Sequence, residues 1–349
     1  METRVLRLDP RQPDPDALRE AGDVIRRGGL VAFPTETVYG LGASALDPAA
    51  VERVFRAKGR PADNPLIVHV ASPAEAEALW AEVTPAAREL MQRFWPGPLT
   101  LALPRRPHVP DVVTAGLPTV GVRMPDHPVA LGLIRAAGVP IAAPSANLSG
   151  RPSPTRAEHV IEDLGGRIDL VLDAGETGVG VESTFLDLSV DPPVLYRPGG
   201  VTPGAICAVI GPIQIDPSVH GAEAGEAPRS PGQKYAHYAP RAQVIVVDGP
   251  LRDVQRKIND LAYEFMQEGR TVGVLATAES RGTYQVPVVL EVGSRKNLEM
   301  VASSLFATLR AFDRHGVDVV LAEGFPEEGL GLAIMNRLRR AAAGRVIEL

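Results

Sequence analysis

The side chains best suited to chemistry are donors and cations set in loops. They are hydroxyls at Thr35, Thr37, Thr119, Ser145, Ser149, Ser183 and Thr184, amides at Asn64 and Asn147, and cations at Lys58, Arg60, Arg123 and Arg197. Such a set stabilises oxyanions and offers no obvious activated nucleophile. It suits direct transfer between two bound substrates, driven by positioning and charge stabilisation, better than covalent catalysis. Several familiar sites are missing from the sequence. There is no G-x-x-x-x-G-K-[ST] phosphate loop, no H-E-x-x-H or paired cysteines for catalytic zinc, and no G-x-S-x-G elbow.

The stretch that organises this set is K-G-R-P-A-D-N-P-L-I-V-H, residues 58–69. A helix is predicted over about 48–57, with Asp47 as N-cap and Pro48 at the first helical position. Val51, Val54 and Phe55 form its apolar stripe, which places Lys58 on the core-facing side. A lysine there either meets an anion or complements the helix macrodipole. Only four of the 36 cationic side chains are lysines, so one at this position suggests that a compact point charge is wanted. The steps Arg60-Pro61 and Asn64-Pro65 bias both leading residues towards extended conformations, and 66–70 reads as a buried strand. A cation pair on a stiffened loop between a helix and a strand fits a phosphate or carboxylate clamp. Other residues keep two readings each. Arg123 is a carboxylate fork or half of an internal ion pair with Glu36 or Asp63; Ser145 and Asn147 are ligands or turn residues; His69 is a ligand or a satisfied core histidine.

The elements that must position these groups alternate along the chain. A helix over 14–27 is followed by a strand at 30–33, so Thr35, Glu36 and Thr37 fall just past a strand end, where open α/β sheets bind ligands. Helices follow at 74–80 and 85–94, a strand after W-P-G-P-L-T, a strand at 120–124, a helix at 127–137 and a strand at 139–142. A helix at 154–164, strands at 170–173, 183–188 and 194–196, and a helix from 203 complete a first domain, 1–212. The mixture predicts a twisted mixed open sheet with packed helices. Residues 213–240 read as a linker whose S-P-G-Q-K-Y-A-H-Y-A-P segment, with Lys234, Tyr235, His237 and Tyr238, is either a loop closing over a nucleotide or one docked on a domain surface. Regular alternation over 241–349 predicts a smaller Rossmann-like α/β domain; its G-L-G at 329–331 lacks the rest of a dinucleotide fingerprint.

At 349 residues the chain has room for two cores. A net charge of −6 argues against bulk nucleic-acid binding by the whole surface, and the single cysteine, Cys207, excludes an internal disulfide framework or a Cys-rich zinc site. No signal-peptide core or membrane-length apolar run is seen, so a cytoplasmic protein is expected.

The motifs P-T-E-T-V-Y-G-L-G, K-G-R-P-A-D-N-P-L-I-V-H, F-W-P-G-P-L-T, V-G-V-R-M-P, P-S-A-N-L-S-G and S-T-F-L-D-L together resemble the YrdC-like domain of L-threonylcarbamoyladenylate synthases. The 230–240 segment and A-I-M-N-R-L-R-R-A-A resemble the long, two-domain form of that family. The resemblance implies synthesis of threonylcarbamoyl-AMP from L-threonine, bicarbonate or CO2 and ATP, with Mg2+ accompanying the ATP and pyrophosphate released. A separate transferase complex would then modify adenosine 37 of tRNA, and direct tRNA contact is not expected. It implies a threonine pocket of Thr37, His69, Arg123 and Ser183. It implies an ATP site of Lys58, Arg60, Asn64, Thr119, Ser145, Asn147, Ser153 and Arg197, closed by Tyr235 and His237, with Lys58 and Arg60 catalytic. At Gln233 and Ala236 this chain departs from the Met and Arg that relatives often carry. Two alternatives remain: an RNA-binding module without catalysis, and a related carbamoyl transferase using carbamoyl phosphate.

Overall fold

In a computed structural model that describes residues 2–221, 228–232 and 237–349, the chain divides into two compact units. One takes in 1–149 and 153–234, the other 150–152 and 235–349. The elements of the first unit are, in order, β1 (Arg4–Arg7), α1 (Pro15–Arg26), β2 (Val31–Pro34), β3 (Tyr39–Ser44), α2 (Pro48–Lys58), β4 (Ile67–His69), α3 (Pro73–Leu79) and α4 (Pro85–Phe94). There follow β5 (Leu99–Pro104), α5 (Asp111–Thr114), β6 (Thr119–Arg123), α6 (Pro128–Ala137), β7 (Ile141–Ala142), α7 (Ala157–Leu164), β8 (Leu170–Asp173), β9 (Thr184–Asp187), β10 (Val194–Arg197), α8 (Pro203–Ile210) and β11 (Gln214–Ile215). The strands form one mixed sheet in the order β1-β8-β2-β3-β7-β4-β6-β5-β9-β10-β11. The pairs β4–β6 and β5–β9 are parallel, whereas β3–β7, β4–β7 and β5–β6 are antiparallel.

Local sequence explains most of these boundaries. Asp14, Asp47, Ser72, Thr84 and Thr202 each accept a hydrogen bond from a first-turn amide, and a proline follows each within the first turn. Strand alternation then splits the core in two. Val31, Phe33, Leu170 and Leu172 face α1 and α6 through Leu18, Ile25, Leu133 and Ile134. Ala32, Leu41, Ala43 and Val171 face α2 and α7 through Val54, Ala57, Val160 and Leu164.

The sequence reading marks no strand over Y-G-L-G-A-S, where the structure has β3. Its glycines are packing devices: a Cβ at Gly42 would stand 2.8 Å from both Phe33 Cε1 and Ile141 Cγ2. Residues 214–220, read as the start of a linker, form β11 beside β10 and a single 3-10 turn (Pro217–His220) whose Val219 is buried. β1 is likewise unforeseen, an edge strand paired with β8.

The second unit contains β12 (Gln243–Asp248), α9 (Leu251–Gln267), β13 (Val272–Ala276), β14 (Val288–Glu291), α10 (Leu298–His315), β15 (Val319–Glu323), α11 (Gly331–Ala341) and β16 (Val346–Glu348). Its strands are all parallel, in the order β14-β13-β15-β12-β16, as expected of a Rossmann-like unit. Val254, Ile258 and Leu261 of α9 pack on Val272, Val274, Val319 and Leu321. Residues 150–152 join this unit: Arg310 donates to the Pro152 carbonyl from Nη2 (2.6 Å) and Nε (3.1 Å), and Ala239 N donates to Gly150 O at 3.0 Å. Among the described residues no helix is long and apolar enough to cross a membrane.

Candidate active site

Strand register sets one line of polar side chains across the first sheet. His69 of β4 is the partner of Arg123 in β6, and Phe185 of β9 is the partner of Thr100 in β5 and of Arg197 in β10. Since β6 and β5 pair Val122 with Leu101, Arg123 lies across from Thr100. Partners in register point to the same face, and neighbouring strands are about 4.8 Å apart, so His69, Arg123, Thr100 and Arg197 share one face. Ile67, Ala102 and Phe185 form a small apolar floor on that face. The Phe185 ring lies over Gly121, where a Cβ would meet its Cε2 at 2.7 Å.

Two hydrogen-bonded groups stand on this floor. Arg123 is buried; its Nη1 donates to Thr37 Oγ1 (2.9 Å), its Nε to the Gly97 carbonyl (3.2 Å), and it forms an ion pair with Glu36. Of the two sequence readings, Arg123 thus has its internal partner, and that partner is Glu36. The threonine hydroxyls of 35 and 37 stand 2.8 Å apart in the turn between β2 and β3. In the second group Arg197 donates to Ser183 Oγ (3.1 Å) and to the carbonyls of Ser183 (3.0 Å) and Pro231 (3.3 Å), while Ser183 Oγ stands 2.8 Å from Thr100 Oγ1. His69 is fully buried, and its pKa is pushed down to about 3, first by desolvation and then by the charge of Arg123. It is a neutral imidazole at any ordinary pH.

A second collection gathers where β4 and β6 begin. Lys58 is buried at the end of α2, and its ammonium donates to the Ser145 carbonyl and to the Asn147 carbonyl (2.6 Å). Of the anion and the helix macrodipole that the sequence offers it, these contacts are neither: both oxygens are neutral carbonyls of the P-S-A-N loop. That loop continues the edge of β3 through a bridge between Ser145 and Gly40. Asn147 is buried and donates to the Leu148 carbonyl at 2.8 Å. Asn64 is fully buried, and neither atom of its carboxamide has a hydrogen-bond partner among the described residues. Thr119 starts β6 four residues from Arg123, about 13 Å along the strand. Arg60 lies near the Asn64 carbonyl (3.5 Å) and lines an open groove with Glu52, Phe55, Arg56, Gly59 and Ala62. Ser153, also buried, donates to Glu182.

The sequence-predicted residues thus fall into clusters. Thr37 and Arg123 are in contact, as are Ser183 and Arg197, and Lys58 touches the loop of Ser145 and Asn147. Tyr235 lies outside the described residues. His237 belongs to the second unit, with its ring 5.6 Å from that of Tyr238. Thr100 and Glu182 were missed. Their signal was weak: Thr100 is marked only by strand alternation inside F-W-P-G-P-L-T, and Glu182 by adjacency to Ser183.

Comparison with known proteins decides the family. A family model described as Telomere recombination, spanning the Sua5, YciO and YrdC proteins, matches residues 23–199, and one described as Threonylcarbamoyl-AMP synthase, C-terminal domain, matches 201–343. The threonylcarbamoyl-AMP synthase of Pyrococcus abyssi is 55% identical over 332 residues, covering 95% of this chain and 96% of its own. The chain belongs to the threonylcarbamoyl-AMP synthase family. The Bacillus subtilis synthase of that name is 54% identical over 331 residues, covering 95% of this chain and 94% of its own. The crystal structure of P. abyssi Sua5 complexed with L-threonine superposes with a TM-score of 0.95 at 53% identity, covering 99% of this chain and 100% of that one. A threonylcarbamoyl-AMP synthase is an enzyme of nucleotidyl-transfer type, so the reading as an RNA-binding module without catalysis is set aside.

Proposed function

We propose that this chain condenses L-threonine, bicarbonate or CO2, and ATP to L-threonylcarbamoyl-AMP and pyrophosphate. The observation that carries the reading is the line of His69, Arg123, Thr100 and Arg197 on one face, with Thr37 and Ser183 in hydrogen-bond contact with its two arginines. A guanidinium braced by a hydroxyl and a carbonyl is preorganised for a carboxylate, so Arg123 takes the carboxylate of threonine. Neutral His69 and the Thr37 and Ser183 hydroxyls complete that pocket.

The nucleotide occupies the end where β4 and β6 begin. Asn64, Thr119, Ser145, Asn147 and Ser153 hydrogen-bond to it, and Arg60, Arg197 and Lys58 oppose its charge. Mg2+ would accompany the triphosphate. Among the described residues no three His, Cys, Asp or Glu side chains converge on a point. When bound, Mg2+ neutralises phosphate charge. The threonine amine adds to CO2 with loss of a proton, giving a carbamate. One carbamate oxygen attacks the α-phosphorus as the bond to pyrophosphate breaks. Positioning of the two anions by Arg123 and the nucleotide-end donors supplies the protein's share. The product is consumed in the cytoplasm by a transferase complex that modifies adenosine 37 of tRNA.

The test is pyrophosphate release from ATP by the purified chain without RNA. Release should require both threonine and bicarbonate. Release supported by carbamoyl phosphate in place of bicarbonate would overturn the assignment in favour of carbamoyl transfer.

A further inference from the structure

Glu36 sits between the two threonines of the turn that joins β2 and β3. That turn is fixed by its backbone: the carbonyls of Glu36 and Thr37 accept from Val179 N (2.7 Å) and Gly180 N (3.0 Å). Both carboxylate oxygens of Glu36 are buried, and neither accepts an aligned hydrogen bond among the described residues. Its carboxylate forms an ion pair with Arg123 Nη2, an atom that is itself buried without an aligned hydrogen bond among the described residues. His127 lies within range of the Glu36 charge, but its Nδ1 is occupied as acceptor of Val129 N at the start of α6. A carboxylate held out of water with no donor aligned on it is costly, and a native fold keeps one where something else completes it.

An α-amino acid carries its ammonium and its carboxylate on the same carbon. A pocket for such a zwitterion therefore needs an anion and a cation side by side, each with hydrogen-bonding capacity in hand. Glu36 and Arg123 meet that description. We propose that Glu36 is the ammonium subsite of the amino-acid pocket: the substrate carboxylate lies on Arg123 and its ammonium donates to the Glu36 oxygens. This rests on the reading of the chain as a user of L-threonine. A role limited to bracing Arg123 is the competing explanation, and the two differ in what they predict for a ligand without an amine.

The experiment measures binding to the full chain by calorimetry, for L-threonine and for 2,3-dihydroxybutyrate, in which a hydroxyl replaces the amine. For Glu36→Gln the threonine Kd should rise roughly 30-fold or more, the scale for truncating one partner of a buried charge pair. The Kd of the hydroxy acid should stay within about twofold, because its contact with Arg123 is kept. That unchanged value also reports a folded pocket. Glu36→Asp, which keeps the charge but withdraws it, should give a smaller loss for threonine alone. Equal weakening of both ligands would show that Glu36 acts only through Arg123, and no change in either would remove it from the pocket; both results overturn the proposal. Because binding is read directly, a chain that binds threonine yet releases no pyrophosphate would sink the proposed reaction without touching this subsite.

Discussion

Lys58 reaches from the end of α2 to the loop that carries Ser145 and Asn147. Its ammonium lies against the carbonyls of Ser145 and Asn147, 87 and 89 residues away in sequence. Replacing it with alanine leaves two buried carbonyls short of a charged donor and frees the loop that carries two proposed nucleotide ligands. Lys58→Ala should lower kcat by roughly 10² to 10³, the range for losing one preorganised donor, as measured by pyrophosphate release; near-normal turnover would take Lys58 out of the mechanism. His69 yields a pH prediction with a definite sign. Its folded pKa lies below the unfolded value, so between about pH 3 and 6.5 the unfolded chain binds the extra proton. Stability is fully present above pH 6.5 and falls as pH drops through that window, by at most about 1.4 kcal/mol per pH unit. His69→Gln should flatten the slope of melting temperature against pH between 4.5 and 6.5, and an unchanged slope would show that His69 does not carry it. The positions of these residues were legible, but their partners were not. Lys58 was readable as core-facing from its helix register, whereas a backbone carbonyl leaves no mark in a sequence. The choice between Glu36 and Asp63 for Arg123 likewise depends on how a turn folds back over a strand face.

At the scale of elements, β6 connects both ends of the proposed site, since Thr119 begins it and Arg123 ends it. Its middle residue, Gly121, makes room for the Phe185 ring that floors the pocket. Gly121→Ala forces that ring away by an overpacking strain of about 1–3 kcal/mol, and Phe185 is the register partner of both Thr100 and Arg197. The variant should therefore melt lower and bind threonine more weakly, while a melting curve unchanged within error would mean that the ring gives way freely. The helices and most strands could be read because caps, prolines and apolar periodicity mark them locally. β3 could not, because two of its six residues are the glycines that let Phe33 and Ile141 close over it. Those glycines are turn signals in a sequence and packing devices in a sheet, and only the neighbours distinguish the two. β11, two residues long beside β10, is too short to show a periodicity.

For the whole molecule, the question is how far along the chain each unit extends. A boundary after Pro212, the sequence reading, would remove β11, the buried Val219 and the Pro231 carbonyl that receives Arg197 Nη1. Burying a valine contributes about 1.5–3 kcal/mol and a hydrogen bond about 1. At about 2–4 °C per kcal/mol for a unit of this size, a fragment ending at 212 should melt roughly 5–15 °C below one ending at 234. Folding is not activity, however. Residues 150–152, which follow the Ser145–Asn147 loop within a few positions, have their hydrogen bonds from Arg310 and Ala239, and Arg151 pairs with Asp313 at 3.0 Å. A fragment ending at 234 keeps the proposed amino-acid pocket but strips those three residues of every one of these partners. It should bind threonine about as the full chain does, and release pyrophosphate at a small fraction of the full chain's rate. Full activity in the fragment would refute the idea that the second unit serves synthesis by anchoring residues 150–152. Lost threonine binding would refute the assignment of that pocket to the first unit alone.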